Sequence, residues 1–514
     1  MIRIPPKPLL RRLGGAALAG VMAVAGFAPV GFAALAVLSL TALALLWQRG
    51  GRPREAFAIG FAYGLGFFCA GVSWVYVSLH DFGMMPLPLA VIATLGFCAI
   101  LAFFPAAAGF AWGRLFGASG RAAAPLICGF PALWTLAEWC RGWVFTGFPW
   151  LGMGYAHTDT LLAGYAPVGG VHAVSLSAAV CAGLLAYLAV THSNRRRLAA
   201  VAAIAAVLAA GAALRAREWT RPEGAPVSVA LAQGNIPQSM KFDPAIYQAT
   251  LATYQRLVES ANTRSMEVAP ARLVVLPETA IPRFLDQVDP AWVDHLRDTA
   301  AAASSDVLAG APLREPGNHY YNAVVSLGAS PPQAYRKVHL VPFGEFIPPA
   351  FGWVLDILRI PLADFDRGPT DQQPLALNGG LRVAVNICYE DAFGDEIIRQ
   401  LPRANLLVNA SNVAWFGDSL APEQHAQISR MRAMETGRYM LRATNTGVTA
   451  IIDEHGTMVA RLPQFTEAVL RGTAQAFTGA TPFVLIGDGP SILLCLILIA
   501  GTALFTRAAK RRAS

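Results

Sequence analysis

The chain has 514 residues, 55% hydrophobic and only 14% charged, and its mean hydropathy of +0.45 is too high for a water-soluble protein of this size, so it reads as a membrane protein. The net charge of +8 does not point to nucleic acid, because the basic residues fall in short runs beside apolar segments, as at Arg11-Arg12, Arg195-Arg196-Arg197 and Lys510-Arg511-Arg512; that pattern is topological. Of the seven cysteines, six lie in or beside apolar segments and Cys388 stands alone in the polar part, where it has no disulfide partner, and no Cys/His spacing suggests zinc or any other metal.

Apolar stretches long enough to cross a bilayer fall at about residues 13–28, 30–47, 56–79, 86–112, 123–140, 163–191 and 197–214, with one more at about 483–506. About eight spans are expected, seven in residues 1–214 and the last in 483–514, ahead of a basic tail. The first resembles a signal peptide, but the second follows at once without a clear cleavage site, so an uncleaved hairpin is expected. Positive charge recurs in alternate loops, at Arg3/Lys7/Arg11/Arg12, Arg49/Arg52/Arg54, Arg114/Arg121, residues 195–197 and residues 507–512, and such loops belong on the cytoplasmic side. In a bacterium this puts a multi-pass chain in the inner membrane, with both termini cytoplasmic and residues 215–482 in the periplasm. A free thiol there is at risk of oxidation, which favours a chemical role for Cys388. Glu138 and Arg141 lie at the outer end of a span and read as a polar pair at a lipid entrance.

Residues 215–482 read as a mixed α/β domain. Strands are expected at 227–234, 272–277, 306–311, 321–327, 333–339, 381–388, 405–410 and 447–453, and helices near 243–262, 290–303 and 421–443. Their interleaving predicts packed α/β layers rather than a barrel. Residues 342–372 carry Phe343, Phe346, Phe351, Trp353, Leu355 and Leu358 without regular period, and are expected to form an apolar lid touching lipid.

Three strand ends carry chemistry. Residues 381–388 form a β-type run that delivers Cys388 to a turn at Tyr389-Glu390-Asp391, where an exposed thiol would act as nucleophile. Leu273-Val274-Val275-Leu276-Pro277 ends in Glu278, whose apolar neighbours predict a raised pKa suited to a general base. Tyr335-Arg336-Lys337 places an ammonium where it could favour the thiolate and hold an oxyanion. His339 is expected to be structural, and Arg432, Glu435 and Arg438 to form an ion-pair ladder along a helix.

Leu-Pro-Glu278-Thr, Arg-Lys337-Val-His-Leu-Val-Pro-Phe-Gly-Glu345 and Asn-Ile-Cys388-Tyr-Glu390 together resemble the Glu-Lys-Cys triad of the carbon-nitrogen hydrolase (nitrilase) superfamily. With Ser73-Trp74-Val75-Tyr76, Thr146-Gly147-Phe148-Pro149-Trp150, Gln233-Gly234-Asn235-Ile236-Pro237-Gln238 and the flanking spans, nearly the whole chain is similar to the apolipoprotein N-acyltransferase family within it. The resemblance implies an αββα sandwich carried on membrane helices. It makes Glu278 the base, Lys337 the oxyanion stabiliser and Cys388 the acylated nucleophile, with Glu345, Tyr389 and Glu390 in support. It further implies a phospholipid acyl donor, a diacylglyceryl apolipoprotein as acceptor and no metal or organic cofactor; a monomer is expected. Phe242 stands where some members have Trp. Phe242, Phe343, Phe346, Trp353, Trp415, Phe416 and Trp150 are candidate lipid contacts. Two other readings are a membrane-tethered amidase acting on a soluble substrate, for which apolar lids would have no use, and a transporter, which would place charges deep inside several spans.

Overall fold

The computed structural model describes residues 7–50, 52–117, 123–263, 269–347 and 364–513. They divide into two compact units: Met1–Tyr76, Pro88–Glu218 and Ile486–Ser514 form one, Val77–Leu87 and Trp219–Leu485 the other.

The first unit is helical. Among the described residues five helices are long and apolar enough to cross a membrane, or six if Pro53–Gly71 and Val75–Phe82 form one broken span. The expected span at 13–28 is the helix Lys7–Val24, whose first two turns carry Lys7, Arg11 and Arg12. That at 123–140 is interrupted, a π-helical turn at Pro125–Gly129 preceding the helix Phe130–Arg141. Small residues let helices approach closely: a Cβ on Gly20 would fall 2.1 Å from the Tyr63 carbonyl oxygen. Glu138 and Arg141 each bond to the segment that follows their helix. Glu138 accepts from Trp134 Nε1 and the Met153 amide at 2.9 and 2.8 Å, and Arg141 Nη1 donates to the Phe148 and Trp150 carbonyls. The two residues fold the segment after Arg141 back onto its helix.

The second unit is built on two six-stranded sheets. One runs Ala468–Ala474, Val227–Gln233, Leu273–Val275, Asp306–Glu315, His319–Gly328, Ala334–Arg336; the other runs Met458–Arg461, Ala450–Ile452, Met440–Thr444, Leu406–Ser411, Leu381–Ile387, Leu375–Leu377. The central pairs are parallel, in register Leu231↔Val275 and Val275↔Leu308 in the first sheet, Val385↔Val408 and Leu441↔Val408 in the second. Alternate apolar residues face inward, Leu231, Val275 and Leu308 packing with Val383, Val385, Val408 and Leu441 in one cluster. The opposite face of the first sheet buries Ala230, Val274 and Val307 against Tyr254, Val258 and Leu296 of the helices Tyr247–Asn262 and Pro290–Ala302. The second sheet buries Leu407 and Met440 against Ala426 and Ala433 of the helix Ala421–Thr436. The order is αββα.

The expected helix at 421–443 is two elements. It ends at Thr436, Gly437 takes a left-handed cap at φ +60°, and Met440–Thr444 is a buried central strand. The strand expected at 333–339 stops at Arg336. Of the expected lid, residues 348–363, and Trp353 with them, lie outside the described residues.

Candidate active site

Four parallel or edge strands end at one place. Leaving the strand Leu273–Val275, the chain crosses the neighbouring strand at Gly310, where a Cβ would lie 2.4 Å from the Pro277 carbonyl oxygen and 2.7 Å from Glu278 Cα. Only a hydrogen there lets the segment bearing Glu278 settle. Glu278 Oε1 accepts from Asn322 Nδ2 at 2.8 Å and Lys337 Nζ at 3.2 Å, and Oε2 from the Asn412 amide at 3.0 Å. Lys337 Nζ also donates to Glu345 Oε1 at 2.9 Å, and Asn322 Nδ2 to the same oxygen at 2.6 Å. Glu345 Oε2 takes the Val341 amide at 2.8 Å. A buried ammonium is thus held between two carboxylates, with Asn322 tying them together.

Cys388 opens a single turn, Cys388–Ala392, at the end of the strand Leu381–Ile387, and its φ is +52°, the left-handed region a side chain disfavours. Glu390 braces this turn. Its carboxylate accepts from the Ile387 amide at 2.7 Å, the Val338 and His339 amides at 2.7 and 3.1 Å, and Tyr335 Oη at 3.0 Å. One side chain therefore ties the backbone of the turn bearing Cys388 to the segment carrying Lys337.

The charges settle into a defined resting state. Burial pushes the Glu278 carboxyl up, but Lys337, Asn322 and Lys241 outweigh it, and its pKa ends below the usual range. This reverses the expectation from its apolar neighbours, which left out the cations folded against it. Burial pulls Lys337 down, yet Glu278 and Glu345 hold it well above the ordinary lysine value. Burial and then Glu278 push the Cys388 thiol up, against the pull of Lys337 and the Asn412 amide. The resting site is therefore carboxylate, ammonium and thiol, the state a general base needs before it acts. A second buried lysine, Lys241, donates to the Glu278 carbonyl oxygen at 3.1 Å. Desolvation lowers it to about 8 against the raising effect of Glu278 and Cys388. Burial raises Glu390 to about 7 against Lys337 and three backbone amides; four donors aimed at its oxygens fit the ionised form.

The remaining sequence candidates are dispersed. Tyr389 packs edge-on to Phe393 and His339. The His339 ring stacks on Phe393 at 3.7 Å and its Nδ1 lies 3.2 Å from Glu396, a structural placement. Phe242 is half-buried directly after Lys241. Phe343 takes φ +60°, with its amide on the Phe346 carbonyl at 2.8 Å, and Arg367 lies over the Phe346 ring. Trp415 and Phe416 follow Asn412 in a short turn; Trp415 meets Phe82 edge-on, and Ser78 Oγ donates to its carbonyl at 2.7 Å. Trp150 belongs to the helical unit, where it is 1% exposed and packed between Trp74 and Phe148; its ring fills the interior of that unit. The expected ladder is a single buried pair, Arg432 with Glu435 at 2.7 Å, because Arg438 lies beyond the helix end and donates to the Ala404 and Gly479 carbonyls.

Asn322 and Lys241 escaped the sequence reading. Asn322 is a polar residue opening the buried half of the strand His319–Gly328, a signal visible only once that strand is known to be central to the site. Lys241 lies in a turn after Gln238, itself bonded to Asn412 Nδ2 at 2.8 Å.

Residues 19–184 match the family model described as the apolipoprotein N-acyltransferase N-terminal domain, and residues 228–483 match that described as carbon-nitrogen hydrolase. The chain is 50% identical over 497 residues to an apolipoprotein N-acyltransferase of Nitrosomonas europaea, covering 96% of this chain and 97% of that one. It is 46% identical to proteins of the same name from Methylococcus capsulatus (93% and 92% covered) and Ralstonia nicotianae (96% and 93%).

Proposed function

Because the chain belongs to the apolipoprotein N-acyltransferase family, acyltransferases with a carbon-nitrogen hydrolase domain, we propose that it moves a fatty acyl group from a membrane phospholipid to the α-amino group of a diacylglyceryl-cysteine through a thioester on Cys388. The observation that carries this reading is the buried set of an ionised Glu278, a doubly paired Lys337 and a thiol at a left-handed turn.

In the first half-reaction Glu278 takes the Cys388 proton as Sγ attacks the ester carbonyl at the phospholipid sn-1 position. Lys337 Nζ faces the developing oxyanion, a role for which its compact charge is suited. The carbon–oxygen bond then breaks, Glu278 returns the proton to the glycerol oxygen, and lysophospholipid leaves. In the second half the incoming amine attacks the thioester, Glu278 accepts its proton, the carbon–sulfur bond breaks, and the thiol is restored. Splitting the transfer this way lets one base serve both halves. Glu345 keeps Lys337 charged and Glu390 holds the two segments in register; Tyr389 packs beside the nucleophile.

The domain disposition belongs to the same proposal. Residues 1–214 and 483–514 hold the chain in the inner membrane with both termini cytoplasmic, residues 215–482 work in the periplasm, and the enzyme acts as a monomer. The alternation of arginine-bearing loops supports the orientation. Phe242, Phe343, Phe346, Trp415 and Phe416 are the apolar surfaces offered to acyl chains.

The test is intact mass measurement of wild type and Cys388→Ser after incubation with phosphatidylethanolamine and no acceptor. A fatty-acyl adduct on Cys388 that passes to a diacylglyceryl peptide is expected in the wild type alone. Folded wild type that gives no adduct with any of several phospholipids would overturn the ping-pong route in favour of a tethered amidase.

A further inference from the structure

Beneath the nucleophile turn lies a polar cluster that the proposed chemistry leaves unused. The left-handed region is unfavourable for a residue with a side chain, so the +52° φ of Cys388 needs support. Its carbonyl oxygen accepts two side-chain donors, Asn409 Nδ2 at 3.2 Å and His425 Nε2 at 3.1 Å. The same His425 nitrogen lies 2.6 Å from Asp391 Oδ1. Both of its partners are acceptors, which fixes the proton on Nε2.

The cluster closes on itself. Asp391 Oδ2 accepts from Ser429 Oγ at 2.5 Å and Arg442 Nη1 at 3.1 Å. Arg442 Nη1 reaches Asn409 Oδ1 at 2.6 Å, orienting the amide whose nitrogen meets the Cys388 carbonyl. Asp391, Asn409, Ser429 and Arg442 are all 0% exposed. Burying an aspartate and an arginine is costly unless their partners are well placed. Asp391 is held low by His425 and Arg442 against the upward push of burial, and His425 is pushed down by burial and Arg442, which fits a neutral imidazole. Ser429, His425 and Asp391 do not make a hydrolase triad, since Ser429 Oγ bonds the aspartate directly.

We propose that His425, oriented by Asp391, and Asn409, oriented by Arg442, are positioning residues for acyl transfer. They grip the Cys388 carbonyl, fix the left-handed backbone of that residue and so aim its Sγ at Glu278 and Lys337, without touching substrate. The inference rests on Cys388 being the acylated nucleophile.

The test compares full-length wild type, His425→Leu and His425→Gln in vesicles containing phosphatidylethanolamine. The acylation rate constant is measured against phospholipid mole fraction, and Cys388 alkylation by iodoacetamide is followed against pH on the same samples. His425→Leu is expected to acylate roughly 30-fold more slowly at unchanged KM, the scale of a misplaced reacting group, and to alkylate with a displaced pH profile. His425→Gln, which keeps a donor near the Nε2 position, should recover most of the rate. A merely structural role would lower the melting temperature yet leave both rates per folded molecule intact; that result, or equal rates in wild type and His425→Leu, overturns the proposal. If His425→Leu does not fold, Asn409→Ala removes the other donor to the same carbonyl and is read in the same way. If wild type forms no acyl adduct, the proposed function fails, and the alkylation profiles still decide whether His425 positions Cys388.

Discussion

Replacing Glu390 by Gln isolates what one carboxylate does for the site. Its Oε1 accepts the Val338 and His339 amides at 2.7 and 3.1 Å, and its Oε2 the Ile387 amide at 2.7 Å. Glutamine keeps one oxygen and turns the other position into a donor. With the oxygen toward Val338 and His339, the new NH2 confronts the Ile387 amide; reversed, two amides are stranded. The first arrangement leaves one buried N–H unpaired, at a cost of about 1–3 kcal/mol. At about 2 °C per kcal/mol for an α/β unit of this size, that is roughly 2–6 °C in melting temperature. The larger effect falls on rate. The donor–donor contact must open, and it opens between the turn carrying Cys388 and the segment carrying Lys337. A shift of about 1 Å between reacting groups costs on the order of 100-fold. The assay is the rate constant for acylation of Cys388, normalised to folded protein by thermal melting. A Glu390→Gln enzyme that melts with wild type and acylates within twofold of it would show that this bridge does not set the geometry.

Three other outcomes follow from the same contacts. Gly310→Ala would press a methyl against the Pro277 carbonyl and Glu278 Cα, and is expected to lower kcat roughly 100-fold; phospholipid-dependent turnover checks it. Asn322→Leu removes a donor that helps hold Glu278 below the carboxylate range. The Glu278 pKa should rise and the acid limb of the kcat/KM profile move to higher pH, while an unmoved limb would assign that limb to another group. Lys241 has a pKa depressed from 10.5 to about 8, so between these values the unfolded chain holds a proton the folded one lacks, and stability rises with pH there. Below that window the buried ammonium is unfavourable by about 3 kcal/mol. Lys241→Met should therefore melt higher than wild type at pH 7, with the difference shrinking as pH rises through the window; melts across that range test it.

Glu278 and Cys388 were legible as candidates because each ends an apolar run, and Lys337 because it follows a short strand. Strand ends are where a rigid scaffold presents side chains, and the resemblance joined the three. Glu278, Lys337 and Cys388 could be named without knowing which strands pair. The direction of the Glu278 shift could not, because it depends on Lys337 and Lys241, which are distant in sequence and adjacent only once the strands are folded. The cluster of Asp391, His425 and Arg442 was hidden for a similar reason. Charged residues on a helix or strand read as solvated faces until that element is found buried on all sides, as Ala421–Thr436 nearly is. The merged helix at 421–443 failed at Gly437, whose left-handed cap separates a helix from a strand too short and too fully buried to show alternation.

Glu278 follows an interior strand and Lys337 an edge strand of one sheet, whereas Cys388 and the Asn412 amide follow strands of the other. A chain emerging from synthesis passes through stages in which one sheet exists and its partner does not, and at those stages neither half holds a working set of groups. On the proposed chemistry the chain would cleave lipids of its own membrane, a hazard while the site is incomplete. Dividing Glu278 and Lys337 from Cys388 between the two layers would make the proposed lipid cleavage contingent on closure of the sandwich, so that the fold serves as its own safety catch during biogenesis.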